Sequence, residues 1–137
     1  RSTTSGVNSR AVATAATAPP AAVARAAAPI ASSPELRCAA AMQWVNAHGL
    51  ALPAGWGYRC PGLAVVNGAE RWGVACWNCD GPGNWIAVDI GRIGSSDDAL
   101  HYVVAHETCH ADDYALLGLT TELSADLCAA LHGAPRP

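Results

Sequence analysis

His106-Glu107-Thr108-Cys109-His110 lies within residues 95–118, a stretch whose apolar residues repeat at helical spacing. On an α-helix, residues four apart share a face, so both imidazoles can reach one metal ion. Glu107 stands beside them, placed to take a proton from a metal-bound water. With five histidines and four glutamates in 137 residues, chance would produce such an HExxH in roughly 0.5% of chains of this make-up, so the motif carries information. Its surroundings are those of a helix. Leu100, Val103, Val104, Leu116 and Leu117 form an apolar stripe, and Ser95 and Asp98 have the spacing of a capping box. Gly118 closes the pattern, which predicts a helix of about 20 residues.

A second helix is expected directly after it. Thr120 or Thr121 caps it, Leu123, Leu127, Ala130 and Leu131 are expected to face inward, and Gly133 stops it. Glu122 and Asp126 are four apart on that helix, where two acids on one face repel each other. The pair makes sense if one acid binds a cation and the other holds a histidine ligand by its far ring nitrogen. Asp112, Asp113, Asp126 and His132 are rivals of Glu122 for the third ligand position. A metzincin pattern fails, because Asp113 stands where that motif needs glycine and Leu116 where it needs the last ligand.

HExxH followed by Glu-x-x-x-Asp on the next helix resembles the gluzincin metallopeptidases, the thermolysin-like branch of the zincins. Glu122-Leu123-Ser124-Ala125-Asp126 is similar to the short members of that group, and only 11 residues separate His110 from Glu122. The resemblance spans about residues 95 to 133. It implies one catalytic zinc ion held by His106, His110 and Glu122, with Glu107 as general base and Asp126 orienting a histidine. It also implies an oxyanion donor, for which His132, Tyr114 and Tyr102 are the candidates. Asp112 and Asp113 are expected to be solvated acids, or helpers that hold His110.

Composition divides the chain. Residues 1–33 hold no acidic and no aromatic residue and are dominated by Ala, Thr, Ser, Pro and Val, which predicts a disordered linker or pro-segment. Residues 34–137 form one domain, carrying five arginines against eleven acids, a net charge of −6. That balance argues against a nucleic-acid partner, and no apolar run is long enough to span a membrane. Every basic residue is arginine, and Ala and Gly abound, as in chains from high-GC bacteria. Six cysteines in a domain this small point to a disulfide-stapled protein, secreted or at the cell surface. Cys109 and Cys128 are expected to join the two ligand-bearing helices. Asn67-Gly68 reads as a hairpin turn, and pairing back from it places Cys60 near Cys76, leaving Cys38 for Cys79. The competing reading of Cys76-Trp77-Asn78-Cys79, a thiolate metal knuckle, lacks a second pair of ligands.

Ser33-Pro34-Glu35 opens a further helix that presents Leu36, Ala40, Trp44 and Val45 on one face and ends at Gly49. Residues 56–60, 63–66, 71–76 and 85–90 read as short strands. The fold class is therefore α+β: an N-terminal helix, a small antiparallel-rich sheet, the motif helix and the glutamate helix, laid out like a minimal zincin. In zincins the strand before the motif helix lines the cleft and pairs with extended substrate, a place residues 85–90 would take here. The expected activity is that of a secreted zinc endopeptidase rather than an exopeptidase, acting on peptides or proteins. The alternatives are a catalytically silent zinc-stabilised module and a disulfide-stapled binding module.

Overall fold

The computed structural model describes residues 33–79 and 83–137. The expectation for residues 1–33 falls outside them, except for Ser33, whose hydroxyl accepts from the Leu36 N–H and starts α1 (Pro34–Ala47). In chain order there follow β1 (Trp56–Arg59), β2 (Val65–Val66), β3 (Ala69–Glu70), β4 (Gly73–Trp77), β5 (Asn84–Val88), the one-turn helix α2 (Ile90–Ile93), α3 (Asp97–Leu117) and α4 (Glu122–Leu131). This is a small α+β domain.

β5 is the middle of a three-stranded sheet, parallel to β1 and antiparallel to β4. Alternation along the strands separates two faces. Ala75 and Ile86 pack on Ala111 and Tyr114 of α3, while Val74 and Ala87 cover Ala64 on the opposite side. α3 is the buried axis of the molecule, with α1, the sheet and α4 around it. Among the described residues no single helix is long and apolar enough to cross a membrane.

Three expectations need correction. First, α1 buries Cys38, Ala41 and Val45, whereas Leu36 and Ala40 are exposed. Small residues on the inner face let α1 lie close against α3. Second, α4 turns Ala125 and Ala129 inward and leaves Leu123, Leu127 and Leu131 in solvent. Glu122 and Asp126 must face the histidines, and Leu123 and Leu127, each one residue on and about 100° round the helix, are carried outward, with Leu131 one turn further along the same side. Leu116 and Leu117 at the end of α3 are exposed too.

Third, the cysteines pair as Cys38–Cys60, Cys76–Cys79 and Cys109–Cys128. The expected bridges Cys60–Cys76 and Cys38–Cys79 do not form. The hairpin at Asn67-Gly68 exists, with both turn residues at positive φ, but its strands are only two residues long. Its register therefore does not reach back to Cys60, and β4 pairs with β5 instead. Cys60 follows β1, which lies against α1 through the Tyr58 hydroxyl, a donor to the Cys38 carbonyl at 2.8 Å. Asn78, in the left-handed region, folds the chain back so that Cys79 meets Cys76 with 5.4 Å between their Cα atoms. No thiolate is left for a metal knuckle.

Candidate metal centre

α3 begins at Ser96, one residue later than expected, whose hydroxyl accepts from the Ala99 N–H, and it ends on left-handed Gly118. The chain then turns through 114° into α4, whose start is fastened by a reciprocal cap between Thr121 and Ser124. The Cys109–Cys128 bridge ties the two helices together. Glu122 in the first turn of α4 is thereby held against the buried face of α3 that carries His106 and His110.

Three ligand atoms converge there. His106 Nε2 lies 3.1 Å from Glu122 Oε1, His110 Nε2 lies 3.1 Å from Glu122 Oε2, and the two Nε2 atoms are 3.1 Å apart. The opposite ring nitrogens decide the tautomers. His106 Nδ1 donates to Asp126 Oδ1 at 2.8 Å. His110 Nδ1 donates to the Thr120 hydroxyl at 2.8 Å, which passes its own proton to Asp113 Oδ2, also at 2.8 Å. In the neutral rings both Nε2 atoms then carry lone pairs, aimed at each other and at a carboxylate. Such a cluster repels itself unless positive charge sits in it, as a proton on an Nε2 or as a metal ion. Two nitrogens bound tetrahedrally to one zinc lie about 3.3 Å apart, close to the spacing found here. His106, His110 and Glu122 can thus hold a metal ion.

Glu107 supplies the second test of fit. Its side chain is 0% exposed, and neither carboxylate oxygen has a hydrogen-bond partner among the described residues. Burial drives its pKa up, against the pull of His106 and His110. A buried carboxylate without partners calls for a water or an ion beside it, and a water on the metal would meet that need. The room for Glu107 is made by Gly73 at the start of β4. A Cβ there would stand 2.8 Å from Glu107 Cγ and 2.7 Å from Val103 Cγ1.

Asp126 is itself held on three sides, by His106 Nδ1, by the Tyr102 hydroxyl at 2.6 Å and by Arg136 at 2.9 Å. Burial alone would raise its pKa, but Tyr102, Arg136 and the His106 charge outweigh it and keep Asp126 ionised. At His106, burial disfavours the imidazolium, while the Glu122 hydrogen bond and the surrounding carboxylates override it and raise the pKa.

The oxyanion candidates are placed elsewhere or differently engaged. Tyr102 serves Asp126, on the Nδ1 side of His106. Tyr114 stacks on Trp77 and Trp56. His132 donates to the His48 carbonyl at the end of α1. Residues 85–90 cannot add a substrate strand, because β5 is paired along both edges, and β4 is the edge strand that reaches Glu107. Sequence reading passed over Gly73, Thr120 and Arg136. Thr120 left a trace as a candidate cap, whereas Gly73 and Arg136 reach the site only through tertiary contacts. No protein-family model, curated protein or solved structure matches this chain.

Proposed function

We propose that the chain is a secreted zinc metallopeptidase with a short gluzincin-type site, cleaving peptide bonds within peptides or proteins. The observation that carries this reading is the meeting of three lone-pair ligand atoms beside the orphaned carboxylate of Glu107. A bound zinc ion would polarise the scissile carbonyl and bring the pKa of water to about 7. Glu107 then accepts the proton of the attacking water and returns it to the leaving nitrogen. His106 and His110 keep their Nε2 lone pairs turned to the site because Asp126 and Thr120 hold the Nδ1 protons. β4, an edge strand of the sheet among the described residues, suits an extended substrate backbone added as a further strand. The three disulfides support an extracellular setting.

One observation favours a second reading, a catalytically silent module that keeps zinc for structure: Glu107 is sealed from solvent. Two measurements separate them. Metal analysis after exhaustive dialysis should return one zinc per chain, and casein or a peptide library should be cut by the wild type. Zinc without turnover selects the silent module, and absence of stoichiometric metal rejects both.

A further inference from the structure

Asp113 lies on α3 one turn beyond the motif, and both its interactions reach the metal centre. Its Oδ2 accepts from the Thr120 hydroxyl at 2.8 Å, and Thr120 in turn accepts from His110 Nδ1 at 2.8 Å. The same oxygen accepts from the Ser124 hydroxyl at 2.8 Å. Ser124 is the residue whose side chain and backbone close the cap with Thr121 at the head of α4, immediately around Glu122. We propose that Asp113 is the positioning carboxylate of the centre, setting two metal ligands at once: His110 through the Thr120 hydroxyl, and Glu122 through Ser124 and the start of α4.

The physical reasoning has two parts. A hydroxyl between an imidazole and a carboxylate can donate only once, and the carboxylate, which has no proton to offer, claims that proton. The Thr120 oxygen is left as an acceptor, so His110 must carry its proton on Nδ1 and present a bare Nε2. Without Asp113, Thr120 could donate to Nδ1 instead, and the proton would move to Nε2, where a ligand lone pair is needed. The second part is placement. Only three residues lie between the C-cap of α3 and the start of α4, and the Asp113 bonds to Thr120 and Ser124 fix how that short turn closes. His106 is held by a carboxylate directly and His110 by one through a hydroxyl, so the two sides of the centre are unlike.

This inference rests on the zinc reading for its function but not for its test. In the metal-free full chain, nitrogen NMR of His110 should show the Nδ1–H form in the wild type. It should show loss of that form in Thr120→Val and Asp113→Asn, and retention in Thr120→Ser. Zinc affinity, measured by competition with a chromophoric chelator, should fall about 10–100-fold in Asp113→Asn and Thr120→Val. It should stay within about twofold in Thr120→Ser and in the neighbouring control Asp112→Asn. The double variant Thr120→Val/Asp113→Asn should lose less than the product of the single losses, because one chain of bonds is broken twice. Ser124→Ala should weaken zinc while leaving the His110 tautomer as in the wild type. An unchanged tautomer in both Thr120→Val and Asp113→Asn overturns the inference, as do fully multiplicative zinc losses. If the tautomer responds as described and the wild type binds no zinc, the relay stands and the metallopeptidase reading falls.

Discussion

The proposed roles separate proton handling by Glu107 from metal binding by His106, His110 and Glu122, and single substitutions can expose the division. Glu107→Gln keeps the shape of the side chain and removes its ability to take a proton. Hydrolysis of a peptide substrate is expected to fall to background while bound zinc stays at one per chain, and near-normal turnover would exclude the enzymatic assignment. Gly73→Ala tests the same carboxylate from the opposite side. The new methyl would meet Glu107 Cγ at 2.8 Å and Val103 Cγ1 at 2.7 Å, with the backbone of β4 fixed by its pairing with β5. Glu107 must shift, so kcat should drop at least tenfold with zinc retained. Glu122→Ala removes a ligand and should cost far more zinc affinity than Asp126→Asn, for which about 10–100-fold is expected. Equilibrium dialysis of the two variants gives the comparison.

α3 and α4 meet around a polar cluster, and the covalent link between them lies off the ligand face. Cys109 is buried one residue before His110, and the bridge to Cys128 closes a sequence separation of 19. The chain-entropy estimate for such a loop is about 3 kcal/mol. The pair Cys109→Ala/Cys128→Ala should therefore lower the denaturation midpoint substantially and speed zinc loss to a chelator, since the covalent tie that helps hold α4, and with it Glu122, against the histidines is then gone. Unchanged zinc release in that variant would show that the turn alone places α4. The exposed Leu123, Leu127 and Leu131 on the outer side of α4 are a consequence of the same arrangement: with acids and alanines facing α3, the large apolar residues are turned out.

Ligand binding to the folded chain alone adds stability by mass action, so chelation is expected to be felt throughout the domain. Zinc at one hundred times its dissociation constant contributes about 2.7 kcal/mol, which for a domain near 100 residues corresponds to roughly 10–20 °C in Tm. Calorimetry with zinc against EDTA measures this, and coincident curves would remove the metal from the fold. Acid should weaken the domain by a separate route at His101, which stacks on Trp44 with ring centroids 4.3 Å apart. Burial lowers its pKa below the ordinary 6.5, against the opposing charges of Asp97 and Asp98. The unfolded chain thus binds the proton more readily, and stability is lost as pH falls from about 6.5 through the lower folded value. His101→Gln should flatten that part of the profile of urea midpoint against pH, and an unaltered slope would place the pH sensitivity elsewhere.

The α+β class, the motif helix and the shared face of His106 and His110 were legible in the chain itself, because helical period and cap chemistry are local and a four-residue spacing puts both histidines on one face, whereas Glu122 as their partner was an expectation of the gluzincin resemblance. The Cys109–Cys128 bridge followed from the same periodicity. What needed the folded molecule was everything set by contacts between distant segments. The disulfides of Cys38, Cys60, Cys76 and Cys79 depended on how far the Asn67-Gly68 hairpin runs, and it stops after two residues. The inward face of α4 was decided by the demand of the histidines for Glu122 and Asp126, which overrides the leucine stripe that hydrophobicity alone would bury. Gly73 and Arg136 have no local signature and Thr120 only that of a cap, since a missing Cβ, a distant guanidinium and a bridging hydroxyl acquire their roles from what tertiary packing sets beside them.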